Sequence, residues 1–213
     1  YDQFLTRLVE ITKGLRVGHP EQAGVHLGPL VNDKHLQSVD RYVQLAKSEG
    51  GQVLIGGEAL TTGDYAKGSY YLPTIITGLN NSAQTCQEEI FGPILPVMSY
   101  QDELQVTASI RQGDKPLALY VFSTNAEFNH YILDHTSSGT SVVNDCLIQF
   151  GHNELPFGGV NHSGIGKSGG HYGFVEFSNQ KSVVIQRTNL LKNFYPPYGV
   201  KVRWMIDFVL KWL

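Results

Sequence analysis

Residues 115–145 read KPLALYVFSTNAEFNHYILDHTSSGTSVVND, and this stretch decides the fold. LALYVFS (Leu117–Ser123) is an apolar run of strand length, as expected of a strand buried on both faces. Asn125 stands where a helix N-cap belongs, because its amide oxygen can accept one of the orphan backbone N–H groups of the first turn, and the helix is expected to run to about Ser137. GTSVVND (Gly139–Asp145) then returns as a second strand. Strand, helix and strand in this order make a βαβ unit, whose crossover lays its two strands parallel.

Working outward, the same alternation continues. Asn32 caps a helix through about Glu49, with Leu36, Val39, Val43, Leu45 and Ala46 mostly on one side. GGQVLIGGE is a short strand between glycines, and SYYLPTIITGL is a second extended run in which Pro73 argues for an edge or an irregular start. PILPVMSY is a further strand, and Asp102 to Gly113 a helix. RVGHPEQAGVHLGPL, rich in Gly, Pro and His, reads as a loop. The fold class expected is therefore α/β, built on a parallel sheet. The first residues, YDQFLTRLVEITKGL, already carry a helical stripe of Phe4, Leu5, Leu8, Val9 and Ile11, which leads us to expect a piece of a longer protein.

Composition narrows the function. The 213 residues are 41% hydrophobic and 16% charged, enough for one well-buried domain. A net charge of -3, with no block of Lys and Arg, argues against nucleic acid as a partner. Cys86 and Cys146 are the two cysteines, lack CxxC spacing and suggest neither a disulfide framework nor zinc, so a reducing, cytoplasmic setting is expected. His152 and His162 flank a glycine-rich loop, but no two histidines share a helical face with a carboxylate between them, and no metal site is expected.

That loop, GGVNHSGIGKSGGHYG (Gly158–Gly173), spells three motifs at once. Gly164, Gly166 and Gly169 form G-x-G-x-x-G, yet no strand precedes them, and after Glu176 the next acid is Asp207, so the ribose partner is missing. Gly166-Lys167-Ser168 ends like a P-loop, with Asn161 where the leading glycine should be. Gly166, Ser168 and Gly170 spell a nucleophile elbow that again lacks its strand, and His171 is the last histidine, leaving no later base. The favoured reading is a loop whose glycines let it pass close to other backbone or a ligand.

Taken whole, LPFGGVNHSGIGKSGGHYGFVEFSNQKSV resembles the C-terminal signature of aldehyde dehydrogenases, and QEEIFGPILPV (Gln87–Val97) resembles the same family's E-E-I-F-G-P motif. LGPLVNDKHLQSVDRYVQLAKSEGGQVLIGGE is similar to the stretch that precedes them, so the resemblance covers residue 1 to about 190. KPLALYVFS, SSGTSVVND and FYPPY are most similar to the fatty and aromatic aldehyde branch. The resemblance implies oxidation of an aldehyde, hydrophobic in this branch, to a carboxylic acid with NAD or NADP. A Cys thiolate attacks the aldehyde, hydride leaves for the cofactor, and a Glu-activated water hydrolyses the thioester. By the same resemblance the nucleophile, the base and the oxyanion Asn lie upstream of Tyr1, so no catalytic residue is assigned here and the chain is expected to be inactive alone.

Neither cysteine is a convincing substitute. Cys86 lies two and three residues before Glu88 and Glu89, whose charge disfavours a thiolate, and Cys146 follows a buried strand and reads as a packed small side chain. What the resemblance does carry over is binding. Glu89 would hold the nicotinamide-side ribose hydroxyls, apt because one carboxylate accepts two hydroxyl hydrogen bonds, and Phe91 would pack near the nicotinamide. The residues alone leave open that Glu88 and Glu89 face solvent and that Phe91 is core. Phe157 resembles a family aromatic near the aldehyde entrance, and Asn144, ending a strand close by, is the other expected substrate contact.

The domain division expected is 1–195 for the catalytic-domain portion and 196–213 for an amphipathic tail helix. In YGVKVRWMIDFVLKWL, Arg203, Asp207 and Lys211 fall in one narrow arc, and apolar residues cover most of the rest apart from Lys201. The tail is too short and charged to span a membrane. It reads either as an interfacial helix that would make the protein membrane-peripheral or as a helix docked on protein. Resemblance of KSVVIQR to a strand of the family's dimer contact implies a homodimer. The alternative from another class is a non-catalytic chain serving as a binding or assembly partner.

Overall fold

A computed structural model of the chain describes residues 1–188 and 195–212. In chain order the elements are α1 (Asp2–Lys13), α2 (Asp33–Ser48), β1 (Gln52–Ile55), β2 (Ala59–Leu60), β3 (Tyr70–Tyr71), β4 (Thr74–Thr77), α3 (Gln84–Gln87), β5 (Ile94–Pro96), α4 (Glu103–Gln112), β6 (Ala118–Val121), α5 (Ala126–His135), β7 (Thr140–Val143), α6 (Gly170–Glu176) and α7 (Val200–Leu210). The expected caps at Asn32 and Asn125 are in place, and Asp102 caps α4 in the same way. Asn32, Asp102 and Asn125 each accept the backbone N–H three residues on, from His35, Gln105 and Phe128 at 2.8, 2.8 and 3.1 Å.

The βαβ unit forms as its sequence requires: β6 and β7 pair in parallel, Ala118 opposite Thr140 through Val121 opposite Val143, with α5 as crossover. β4 and β5 are also parallel, and the connection between them carries α3. β1 departs from a purely parallel sheet. It runs antiparallel to β4, because the link between them, residues 56–73, holds only the β2–β3 pair and a 3-10 turn and no crossover helix. The run SYYLPTIITGL is two strands. β3 pairs with β2, whereas β4 joins β1 and β5, and the change of sheet falls at Pro73, which has no N–H to continue a ladder.

The core forms where α2 lies over the β1–β4–β5 sheet. Val39, Tyr42, Val43 and Ala46 of α2 pack with Tyr71, Ile76, Leu79, Ala83 and Ile90, while Leu36 and Leu45 cover its margin. Ile132 of α5, Val121 and Val142 are buried around the β6–β7 pair.

One expectation changes on the C-terminal side. Residues 181–187, KSVVIQR, form no strand in the single chain. A strand needs a ladder partner, none is offered among the described residues, and Val183, Val184 and Ile185 are exposed. Residues 189–194, which include Phe194 of FYPPY and lead to the expected boundary after 195, lie outside the described residues. The tail is helical from Val200, but only Val202 is buried in it. Trp204, Phe208 and Trp212 are exposed and succeed one another at i, i+4 and i+8, with ring centroids 5.9 and 6.4 Å apart. Among the described residues no helix is long and apolar enough to cross a membrane.

Candidate functional site

The Q-E-E-I-F-G-P segment is an arm laid along α2. Ile90 is buried in the core, while its neighbours Glu89 and Phe91 are exposed. The next residue, Gly92, passes so close to α2 that a Cβ there would lie 2.7 Å from the Val39 Cγ2 atom. Phe91 has φ +53°, in the left-handed region that a bulky side chain rarely adopts, and its ring is 72% exposed. Strain of this kind persists only where the surroundings impose it. Here the anchored Ile90 on one side and the close approach of Gly92 on the other fix the backbone between them.

The adjacent carboxylates have different fates, which the sequence could not distinguish. Glu88 accepts hydrogen bonds from the Tyr42 hydroxyl and, at 2.8 Å, from the Gln84 amide, and these bonds hold its carboxyl below the ordinary value. The Tyr42 phenol is pushed up in return, first by that bond and then by burial. Among the described residues no hydrogen bond or ion pair uses the Glu89 carboxylate, so both of its oxygens can accept from a ligand. Glu88 and Glu89 are both exposed, as the solvent-facing reading had it, but only Glu89 is unengaged among the described residues; the reading of Phe91 as a core residue is corrected.

Phe91 also bounds an apolar hollow of about 480 Å³ shared with Leu27, Leu30, Tyr71 and Pro93. A larger cleft of about 850 Å³, lined by Asn80, Gln87, Tyr100 and Gln105 together with apolar Leu79 and Ile110, includes none of Glu89, Phe91, Asn144 or Phe157. We place the site at the smaller hollow because Phe91 bounds it and the unengaged Glu89 stands two residues before Phe91; size alone says nothing about chemistry. A ribose needs an acceptor for its hydroxyls and a nicotinamide needs an apolar face, so the residues present fit NAD or NADP.

Asn144 and Phe157 lie in the other half of the chain: Asn144 follows the carboxyl end of β7, the side on which open α/β sheets bind ligands, whereas Phe157 precedes Gly158, whose carbonyl lies against Gly139 at the amino end of that strand. Asn144 sits at φ +60°, a conformation Asn tolerates, and clasps the two strand ends. Its Oδ1 accepts from the Ser123 N–H at 2.9 Å, and its Nδ2 donates to the Ser123 carbonyl at 3.0 Å. Phe157 is half-buried, meets Phe150 edge-on at 5.3 Å, and pairs by backbone with Ser168. The turn carrying Phe150, residues Ile148–Gly151, begins four residues after Asn144, and no hydrogen bond or aromatic contact among the described residues joins Asn144 to Phe157. No hydrogen bond or aromatic contact among the described residues joins them to Glu89 or Phe91.

The glycine loop is a piece of close-packed backbone. A methyl group on Gly159 would overlap the Ser163 carbonyl, and one on Gly139, just ahead of β7, would overlap the Gly158 carbonyl. Lys167 secures this junction. Its ammonium donates to the carbonyls of Gly158, Gly159 and Gly139 at 2.5, 3.1 and 3.2 Å. A lysine engaged in this way is not reaching for a phosphate. The Ser168 hydroxyl donates to the Phe157 carbonyl at 3.1 Å, a structural bond unlike that of an activated nucleophile. A short helix, α6, does begin at Gly170, but the segment ahead of the loop contributes only the single Phe157–Ser168 bridge, short of the strand a dinucleotide fingerprint needs. Sequence reasoning missed the Lys167 clip, which no local pattern signals.

The thiols are also placed. Cys86 is half-buried and its pKa is raised, chiefly by burial and then by the Glu49 carboxylate; the charge responsible is Glu49 and not the sequence neighbours Glu88 and Glu89. Cys146 is exposed, correcting the expectation of a packed side chain, because the chain leaves β7 into an irregular surface segment beginning at Asn144. His152 is exposed, and His162 pairs with Asp114 at 2.7 Å on the open surface. Among the described residues no cluster of three or more His, Cys, Asp or Glu has the makings of a metal site.

The parallel βαβ unit, the strained E-E-I-F-G-P arm and the glycine loop stand together in a mixed α/β chain, and that is the class of fold they define. The aldehyde dehydrogenase family profile matches residues 1–183, and the chain belongs to that family. Aldehyde dehydrogenase family 3 member A2 of Rattus norvegicus is 35% identical over 216 residues, 99% of this chain and 42% of its own length. AldX of Bacillus subtilis (strain 168) is 41% identical over 157 residues, 74% of this chain and 34% of its own. Among solved structures, a P449M betaine aldehyde dehydrogenase of Staphylococcus aureus in complex with NAD+ superposes with a TM-score of 0.78 at 29% identity, covering 83% of this chain and 35% of that one. HpcC of Thermus thermophilus gives 0.78 at 32% identity, covering 87% and 38%. The chain therefore spans well under half the length of the relatives it matches.

Proposed function

We propose that this chain is the C-terminal portion of an NAD(P)-dependent aldehyde dehydrogenase that oxidises a hydrophobic aldehyde to the carboxylic acid. The observation that carries the reading is the E-E-I-F-G-P arm, which leaves the Glu89 carboxylate unengaged beside the exposed, conformationally fixed Phe91. In this reading Glu89 accepts the ribose hydroxyls and Phe91 supports the nicotinamide, whose role when bound is to accept hydride. Phe157 borders the aldehyde entrance. Asn144 retains one amide hydrogen beyond the one committed to Ser123, with which to meet the substrate oxygen.

The nucleophile and base are assigned to segments upstream of Tyr1. Neither thiol of the chain stands in for the nucleophile, since burial disfavours the Cys86 thiolate and no hydrogen bond or ion pair of the described residues brings a base to the Cys146 sulfur. Residues 1–195 are assigned to the catalytic-domain portion and 196–213 to the tail, whose described helix is Val200–Leu210. The exposed Val183, Val184 and Ile185 suit a strand completed by a second subunit, which supports a homodimer. The protein is cytoplasmic, with the aromatic row of the tail as its candidate contact with a membrane surface.

The test is peptide mapping of the native protein together with aldehyde-dependent reduction of NAD+ or NADP+, followed by nicotinamide absorbance. A Cys peptide shortly upstream of Tyr1 and turnover that the 213-residue chain lacks are expected. Native protein carrying no such peptide and reducing neither cofactor would sink the reading in favour of a non-catalytic binding partner.

A further inference from the structure

The E-E-I-F-G-P arm is held almost entirely by one helix. His35 Nε2 lies 2.7 Å from the Phe91 carbonyl, and because a carbonyl only accepts, Nε2 carries the proton of this bond. The Tyr42 hydroxyl donates to Glu88. Glu49, at the end of α2, accepts from the Gln84 N–H at 2.6 Å, the Thr85 N–H at 3.3 Å and the Thr85 hydroxyl at 2.7 Å. These three residues are seven apart and therefore share one face of α2, and they meet the arm in reverse order, so helix and arm run antiparallel.

The lengths agree. Fourteen helical residues from His35 to Glu49 rise about 21 Å. One helical turn at Gln84–Gln87 followed by four extended residues to Phe91 spans about 19 Å. Between the polar contacts, Val39, Val43 and Ala46 of the same helix pack with Ile90 in the core. Apolar packing alone would let the arm slide along α2, since it is non-directional. Hydrogen bonds at both ends and the middle set the register, and the register decides where Glu89 and Phe91 stand.

We propose that His35, Tyr42 and Glu49 are positioning residues that hold the segment Gln84–Phe91 in register, so that Glu89 and Phe91 meet the ribose and nicotinamide of the cofactor together. The inference rests on the cofactor-binding reading of Glu89 and Phe91, and it predicts effects that travel through those two residues.

The test uses the native protein and measures NAD+ affinity by titration, alongside KM for NAD+ and for aldehyde. Tyr42→Phe removes only the hydroxyl, and His35→Leu removes the donor to Phe91; each should weaken NAD+ binding by about threefold to tenfold, the loss of one hydrogen bond, with KM for aldehyde unchanged. His35→Gln, whose amide can donate to the same carbonyl, should recover most of the affinity. Combined with Glu89→Gln, the α2 substitutions should lose most of their effect on NAD+ affinity, because residues acting through Glu89 couple to it. Purely structural residues would lower the melting temperature equally in both backgrounds and move neither the affinity nor the coupling. If Glu89→Gln weakens NAD+ binding while the α2 variants do not, the positioning role is wrong and the cofactor reading stands. If Glu89→Gln leaves NAD+ binding unchanged, the cofactor reading itself falls and the inference with it.

Discussion

Replacing Lys167 with Met keeps the apolar stem and removes the ammonium that holds three carbonyls together. Those carbonyls belong to the loop (Gly158, Gly159) and to the residue that leads into β7 (Gly139), at 2.5, 3.1 and 3.2 Å. A hydrogen bond from a charged donor contributes about 1.5–3 kcal/mol when its partners have no substitute. Lys167 is only half-buried, so water can reach part of the junction, and the full sum of three bonds overstates the loss. A cost of roughly 2–4 kcal/mol is the reasonable expectation, because the ammonium bonds are lost and the carbonyls are only partly resolvated. With a urea m-value of about 2 kcal/mol/M, the unfolding midpoint should fall by about 1–2 M. Lys167→Arg should recover only part, because a planar guanidinium cannot point three donors at one small cradle as an ammonium does. Hydrogen exchange locates the effect: the amides of Phe157 and Ser168, which bond each other's carbonyls at 2.9 and 2.7 Å, should lose protection before those of β4. A Met variant whose midpoint moves by less than about 0.3 M, within ordinary measurement scatter, would refute the clip.

Two further outcomes follow from perturbed side chains. The Glu49 carboxyl is held below its ordinary 4.5, first by the Thr85 hydroxyl and then by the backbone N–H groups of Gln84 and Thr85, against an opposing push from burial. A carboxyl depressed in the folded state contributes stability above its unfolded value and loses it as the pH falls through its folded value. Glu49→Gln should therefore be less stable than the parent at neutral pH, and the gap should close on acidification below 4.5; urea midpoints that stay equally separated throughout would contradict this. For the thiols, iodoacetamide at neutral pH should label the exposed Cys146 well before Cys86, whose thiolate is disfavoured by burial and by Glu49. Peptide mass spectrometry over time reads the order, and faster labelling of Cys86 would mean that its surroundings are misplaced.

How much of this was legible in the sequence depended on how local the determinant was. The caps at Asn32 and Asn125 and the β6–α5–β7 unit are written within a few residues of where they act, and all formed as read. The antiparallel entry of β1 was not legible, because it depends on the absence of a helix from a link of 18 residues whose glycines and single proline only say that it turns. KSVVIQR has the composition of a strand and lacks only an edge to pair with, which no local sequence can supply. The site divides in the same way. Family resemblance located Glu89 and Phe91, but the reason that Glu89 is unengaged while Glu88 is tied lies 46 residues away, in Tyr42. The seven-residue spacing of His35, Tyr42 and Glu49 was visible along α2, yet spacing names a face of a helix and not what lies against it.

This division bears on how the family motif should be understood. E-E-I-F-G-P invites reading as a set of ligand contacts, but in this chain only Glu89 and Phe91 are exposed with side chains that no hydrogen bond of the described residues engages. Glu88 bonds to α2, Ile90 fills the core, Gly92 permits the approach to Val39, and the Pro93 carbonyl receives the Thr74 N–H at 2.8 Å. Four of the six positions thus serve to fix the other two, at the cost of a left-handed Phe91. A substitution at any of the four should therefore reach cofactor affinity through the placement of Glu89 and Phe91, while one at Glu89 should act on the cofactor alone and leave stability close to the parent's. It is the comparison of these two classes, more than any single variant, that separates a motif that binds from a motif that holds what binds.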